Sequence, residues 1–152
     1  MSDEHDTVEA REAVRSLMRD PVTKMLLAHS QLTVAQLETL LTDSLSGQEE
    51  VKKSRRRLYR PSKARISRGA YNRTLIQAQN NVIHSIYTIL LLGYLELFDS
   101  SSLQPFLELS DTIDSYVKES KLASEAVLVE LERRLTEFAT ALAKRESFKD
   151  AL

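Results

Sequence analysis

Cysteine is absent from this chain of 152 residues, and glycine and proline occur only three times each. The absence of cysteine excludes thiol catalysis, cysteine-ligated zinc and disulfide bridges, and it fits a reducing compartment. So few glycines and prolines do not supply the many turns that all-β and α/β folds need, whereas the abundant leucine, alanine, glutamate, arginine and glutamine favour helix. The composition therefore predicts an all-α fold.

Long hydrophobic runs are also missing. The most apolar stretch, Ile86–Phe98, would span only about 20 Å as a helix, against roughly 30 Å of bilayer hydrocarbon. We therefore expect a buried core helix there and no membrane segment. The first residues, Met1–Thr7, are polar and acidic and do not form a signal peptide, so we expect a cytoplasmic or nucleoid-associated protein.

Acidic residues are absent from one long segment. Residues 51–95 contain ten Lys or Arg and no Asp or Glu, although the formal net charge of the chain is −1. Residues 1–50 carry four basic and ten acidic residues, and residues 96–152 carry seven basic and twelve acidic ones. Charge separated into blocks of this size commonly serves a polyanion, and nucleic acid is the commonest large one.

Helix-forming patterns occupy most of the remaining sequence. Pro21 either closes the first helix or opens the second, because proline is tolerated in the first helical turn. Thr33 and Gln36 form a capping-box pattern, and Ser67 is a candidate N-cap for the longest periodic stretch. The predicted helices cover residues 5–19, about 22–29, 67–97, 106–119 and 122–147, and one more helix begins at residue 34 and ends between residues 44 and 47. A basic loop is predicted at 46–66.

The start of the long helix has the residues that nucleic-acid recognition uses. With Ser67 at the N-cap, Arg68, Asn72 and Arg73 fall on one flank, which Gln79 and Asn80 extend. The opposite side, with Tyr71, Leu75, Ala78 and Val82, is predicted to face the core. Arginine pairs with guanine and asparagine with adenine, while loop cations hold phosphates. The predicted nucleic-acid-binding residues are Lys52, Lys53, Arg55, Arg56, Arg57, Arg60, Lys63, Arg65, Arg68, Tyr71, Asn72 and Arg73.

Two segments carry a family resemblance. Met25–Leu41, an apolar helix followed by a short turn and Leu-Thr-Val-Ala-Gln-Leu-Glu-Thr-Leu-Leu, resembles the first two helices of the helix-turn-helix and winged-helix superfamily. Ile66–Leu75 resembles the opening of its recognition helix, and Ser67–Leu97 also resembles an archaeal DNA-binding family. The usual turn has three or four residues, whereas about 22 separate Ser44 from Ser67. Either the turn carries a basic insertion, or the two segments do not form one motif.

The resemblance and the charge pattern together predict a DNA-binding protein, either a transcription regulator or a chromosome-associated factor. Residues 1–99 would form a helix-turn-helix-like DNA-binding domain around a long central helix, and residues 100–152 a helical dimerisation or effector segment. Its coiled-coil spacing predicts a homodimer, although the same seam could pack within one chain. The seam residues are Leu128, Leu131, Leu135, Phe138 and Leu142.

Other functions remain open at this point. The basic run could be a solvated loop, a patch for anionic membranes, or a docking site for the acidic ends of this same chain. It could also dock onto an acidic protein partner, which would make the chain a non-enzymatic adaptor. Tyr59 and Tyr71 could stack on bases of single-stranded nucleic acid, although Tyr71 and Tyr87 fit core positions better. The sequence has no glycine-rich phosphate loop, metal-ligand spacing or nucleophile elbow. We therefore predict neither catalysis nor a cofactor.

Overall fold

The computed structural model describes residues 2–45, 66–97 and 125–143, together with residues 104, 108 and 113. These residues form five helices and no strand, which confirms the predicted all-α fold over the described ranges. The helices are α1 (Ser2–Arg19), α2 (Pro21–Ala28), α3 (Val34–Leu45), α4 (Arg68–Tyr94) and α5 (Glu125–Ala143). The predicted basic loop at 46–66 and most of the predicted helix at 106–119 lie outside them.

The break between α1 and α2 is set by Asp20 and Pro21. One carboxylate oxygen of Asp20 accepts hydrogen bonds from the backbone N–H of Thr23 at 2.7 Å and from its hydroxyl at 2.8 Å. Asp20 is thus the N-cap of α2, and Pro21 occupies the first helical turn, where its missing N–H costs nothing. Of the two roles predicted for Pro21, the structure shows the opening of the second helix.

The start of α3 is the predicted capping box. The backbone N–H of Gln36 donates to the Thr33 hydroxyl oxygen at 3.3 Å, and the Thr33 N–H donates to Gln36 Oε1 at 3.0 Å. Two backbone donors that an isolated helix end would leave without partners are satisfied in this way. The helix ends at Leu45, within the predicted range.

The first three helices pack around a small core. Helix α1 contacts both α2 and α3, and it contributes Val14, which is almost fully buried. Helix α2 contributes Val22, and α3 contributes the buried Thr39, whose hydroxyl donates to the Ala35 carbonyl at 2.7 Å. Because that hydroxyl is satisfied within its own helix, Thr39 can be buried at little cost.

Helix α4 begins where the sequence predicts. The Ala70 N–H donates to the Ser67 side-chain oxygen at 3.2 Å, so Ser67 is the N-cap. Tyr71 and Ala78 lie two turns apart on the same side, and both have no exposed surface. The first half of α4 is therefore held by a narrow buried stripe.

The C-terminal end of α4 is a Schellman motif. The Leu97 N–H donates to the Leu92 carbonyl at 2.9 Å, and the Glu96 N–H donates to the Gly93 carbonyl at 3.1 Å. Glu96 has a φ of 55°, the left-handed conformation that this motif requires and that glycine usually supplies. The helix accordingly ends at Tyr94, three residues before the predicted end.

The second half of α4 contradicts one prediction. The run from Ile86 was expected to be a buried core helix, but every residue from Val82 to Leu91 is exposed. Tyr87, expected in the core, is 67% exposed, and Tyr94 is 85% exposed. Apolar periodicity shows which side of a helix avoids water, but it does not show whether the same chain supplies the covering surface.

The chain divides into two compact units, residues 1–85 and 86–152. Helix α5 in the second unit confirms the predicted last helix within its predicted range. On its surface Arg133 bonds both Glu130, at 2.8 Å, and Glu137, at 2.6 Å. Among the described residues, no helix is long and apolar enough to cross a membrane. The predicted domain boundary after residue 99 lies outside the described ranges and stays a prediction.

Candidate nucleic-acid interface

The structure describes four of the twelve predicted nucleic-acid-binding residues. Arg68, Asn72 and Arg73 are exposed on the first turns of α4, whereas Tyr71 is buried. The other eight lie outside the described residues, and their roles stay predictions: Lys52, Lys53, Arg55, Arg56, Arg57, Arg60, Lys63 and Arg65.

The three exposed residues share one flank of α4. At about 100° per residue, Arg68 and Asn72 lie almost in line along the helix, and Arg73 lies about one-quarter turn away. Gln79 and Asn80 extend this flank and are exposed as predicted. The flank therefore presents guanidinium and carboxamide groups from a fixed helical backbone.

The charge at the start of α4 opposes the helix dipole. The first turn contains Arg68 and no acidic residue, although the positive end of a helix favours anionic side chains. A cation in this place typically costs about 0.3–1 kcal/mol in an isolated helix. A bound anion would remove that repulsion and would also interact favourably with the backbone N–H groups of the helix end.

Space around the start of α4 permits a close approach. Among the described residues, and apart from its chain neighbours and its own helix backbone, no heavy atom lies within 4 Å of the position that a Cβ of Gly69 would occupy. The backbone at Gly69 is therefore not covered by side chains from other described parts of the chain.

Tyr71 must be removed from the predicted contact set. Its ring is fully buried, and its hydroxyl donates to the Thr39 carbonyl oxygen at 3.3 Å. Burial, reinforced by the nearby negative charge of Asp43, raises the pKa of the Tyr71 hydroxyl to about 12. A ring in this position joins α4 to α3 and cannot stack on a base. Tyr59, the other predicted stacking residue, lies outside the described residues.

Asn81 is a structurally important residue that the sequence reasoning did not single out. Its side-chain N–H groups donate to the Gln31 carbonyl at 3.0 Å and to Gln36 Oε1 at 3.2 Å. Gln36 thus caps α3 and also accepts a bond from α4. Asn81 follows the buried Ala78 by three residues and so lies on the same side of the helix. That spacing is the signal in the sequence from which a polar contact beside the core could have been predicted.

The flank also includes a large apolar residue that was not anticipated. Ile76 lies on the helix surface between Asn72 and Asn80 and is 56% exposed. An exposed isoleucine on a polar helix side is compatible with contact to an apolar group, and the thymine methyl is such a group in the major groove.

Two further predictions concern the rest of the chain. The seam residues Leu128, Leu131 and Leu135 lie on α5 and are partly exposed, while the side chains of Phe138 and Leu142 lie outside the description. The dimerisation role of this seam stays a prediction.

Within the described ranges, no group of three or more metal-ligating side chains is close enough to hold an ion.

Comparison of the chain with protein-family models, with curated proteins and with solved structures gives no match.

Proposed function

We propose that the chain is a DNA-binding protein of helix-turn-helix-like architecture, acting as a transcription regulator or a chromosome-associated factor in the cytoplasm or nucleoid. The observation that carries the proposal is the exposed start of α4. There, two arginines and an asparagine project from a rigid helix immediately after a segment with eight further cations.

The two parts of this surface have different chemical roles. The cations from Lys52 to Arg65 need no fixed geometry, because attraction to phosphates depends mainly on charge and releases counterions from DNA. Arg68 and Asn72 occupy fixed positions, which hydrogen bonding to base edges requires. We therefore assign affinity mainly to the preceding segment and sequence discrimination to the helix start.

Salt dependence tests the electrostatic part of the proposal. If about six phosphates are contacted, the logarithm of the association constant should fall with the logarithm of salt concentration with a slope near about −5. Fluorescence anisotropy with labelled duplex DNA measures this slope. Binding that is independent of salt would contradict phosphate contact by the basic segment.

Single substitutions separate phosphate contact from base reading. Arg56→Ala should weaken binding to all duplexes about equally, because a phosphate contact carries no sequence information. Arg68→Ala and Asn72→Ala should each cost roughly 1–3 kcal/mol on a selected preferred site and less on random DNA. Arg19→Ala is the matched control, since Arg19 is an exposed arginine on a different helix. Equal losses from the three arginine substitutions, with no loss from Asn72→Ala, would show that only total charge matters.

A gel shift with random duplex DNA distinguishes the alternative function. Absence of any shift at low salt would reject nucleic-acid binding and favour an adaptor whose basic segment docks onto an acidic protein. The predicted coiled-coil dimer has its own test, because Leu135→Glu places a charge in the α5 seam. An unchanged molar mass in light scattering would exclude that seam as the dimer interface.

A further inference from the structure

The C-terminal half of α4 exposes an apolar surface that the proposed DNA contact does not use. Ile86, Tyr87, Leu90, Leu91 and Tyr94 are each more than half exposed, and Tyr94 reaches 85%. At 100° per residue they fall within an arc of about 140° on the helix. We call these five residues the apolar face.

The apolar face is at least as large as the largest apolar patch of a typical soluble monomer, and patches of that size are often functional. With roughly 200 Å² for a fully exposed large side chain, the five residues expose on the order of 650 Å². The largest apolar patch of a typical soluble monomer is about 300–600 Å², and a helix that is apolar on most of its circumference is normally buried.

The area matches what a stable pair of chains requires. Two copies that cover this surface together would bury about 1,300 Å², which lies within the range of about 1,200–2,000 Å² for specific interfaces. The exposed tyrosines fit the same interpretation, because aromatic residues are enriched in the centres of interfaces. The apolar face alone is therefore large enough for a specific dimer.

The absence of charge on the apolar face indicates which surface packs against it. The segment from Thr74 to Leu95 contains no Asp, Glu, Lys or Arg. A two-fold axis places the same face of each copy against the other, so a charge close to the axis would meet its own copy and be repelled. A charge-free face meets no such repulsion, and it offers nothing that would select a charged partner. The surface that complements it best is another copy of itself.

We propose that the chain forms a homodimer through the apolar face of α4, with Tyr87, Leu90 and Tyr94 at the centre of the contact. This interface differs from the predicted α5 seam, and it does not depend on the proposed DNA binding.

Molar mass in solution tests the proposal directly. The full chain, without DNA, is followed by light scattering and sedimentation over a range of concentrations. The wild type should have about twice the chain mass of 17.3 kDa, and Leu90→Glu should shift it to a single chain mass. Thr88→Glu is the matched control, because it adds the same charge two residues away and outside the arc of the apolar face. It should remain a dimer.

A second variant removes the ambiguity of misfolding. Tyr94→Ser changes a residue that is 85% exposed in the single chain, so helicity by circular dichroism should be unchanged while dimerisation weakens at least tenfold. A wild type of single chain mass at all concentrations would overturn the proposal. So would a dimer that survives Leu90→Glu and Tyr94→Ser but dissociates with Leu135→Glu, which would place the interface on α5.

Binding to lipid is a separate outcome with its own measurement. Co-sedimentation with vesicles of neutral and anionic phospholipid should leave the wild type in the supernatant if the apolar face is covered by a second copy. A monomer that binds vesicles, and loses that binding with Leu90→Glu, would instead assign the face to a membrane surface and overturn the dimer.

Discussion

Tyr71 provides the sharpest test of the packing between α3 and α4. Its phenol is fully buried, and the pKa of the hydroxyl is raised to about 12 by burial first and by the charge of Asp43 second. An unfolded chain would ionise the same group near about pH 10. Because the folded-state pKa is the higher of the two, the folded protein binds this proton more tightly.

The sign and size of the effect follow from linkage. A raised folded-state pKa gives a stabilisation that is fully present below about pH 10 and is lost as the pH rises towards about 12. At about pH 11 the wild type should have lost about 1.4 kcal/mol of unfolding free energy through Tyr71 alone.

Tyr71→Phe removes this proton and one hydrogen bond. The bond to the Thr39 carbonyl is 3.3 Å long, beyond the usual 2.5–3.0 Å for a hydroxyl donor, so its loss should cost only about 0.5 kcal/mol at neutral pH. The order of stability should therefore reverse. The wild type is the more stable protein at about pH 8, and the Phe variant is more stable by about 0.9 kcal/mol at about pH 11.

Urea unfolding of both proteins, followed by far-ultraviolet circular dichroism at several pH values, measures the crossing. In the difference between the two unfolding free energies, the contributions from the titration of all lysines and of the other tyrosines cancel. Tyrosinate absorbance of the wild type minus that of the Phe variant reports Tyr71 directly, and Asp43→Asn should lower its pKa without restoring the ordinary value. A stability difference that stays constant from about pH 8 to about pH 11 would refute the buried position of this phenol.

Three further predictions concern individual contacts. Glu96→Gly should stabilise the chain by roughly 0.5–1 kcal/mol in urea unfolding, because glycine adopts the left-handed conformation without strain; destabilisation would contradict the Schellman geometry. Asn81→Ala should cost about 1–2 kcal/mol by the same assay, because it removes bonds to the turn before α3 and to its capping glutamine, whereas Asn80→Ala should cost little. Hydrogen bonds from Arg133 and Arg134 lower the pKa of Glu130 to about 2, so the stabilisation from this cluster is present above about pH 4.3 and is lost as the pH falls through the lowered pKa. NMR titration should show the Glu130 pKa rising with Arg133→Gln and with added salt; an unchanged value would exclude the ion pairs.

Local signals predicted the starts of α3 and α4. The Thr33–Gln36 capping box and the Ser67 N-cap depend on neighbouring residues only, and the structure contains both. Proline has one backbone geometry that suits a first helical turn, and the structure shows the second of the two roles predicted for Pro21, the opening of α2. The end of α4 was missed because Glu96 occupies a conformation that sequence usually marks with glycine.

Signals that depend on distant residues were less informative. The apolar period predicted that Tyr71 and Ala78 face the core, and they do, but the same period continues through Ile86 and Leu90, which are exposed. The apolar period shows in which direction a side chain points from its helix. It does not show which other residues, of the same chain or of another, pack against that side. Likewise, no pattern of neighbouring residues predicts the hydrogen bond from Asn81 to the carbonyl of Gln31, which lies fifty positions earlier.

The contacts between α3 and α4 also determine how the fold responds to changes in the intervening chain. The bond from Tyr71 to Thr39 closes a loop of 32 residues that includes the cation-rich segment. The entropy of closing a flexible loop grows only with the logarithm of its length, and doubling the length costs about 0.6 kcal/mol. Insertions between the two helices should therefore cost little free energy through loop closure. The contact between α3 and α4 therefore depends little on the number of residues that separate the two helices.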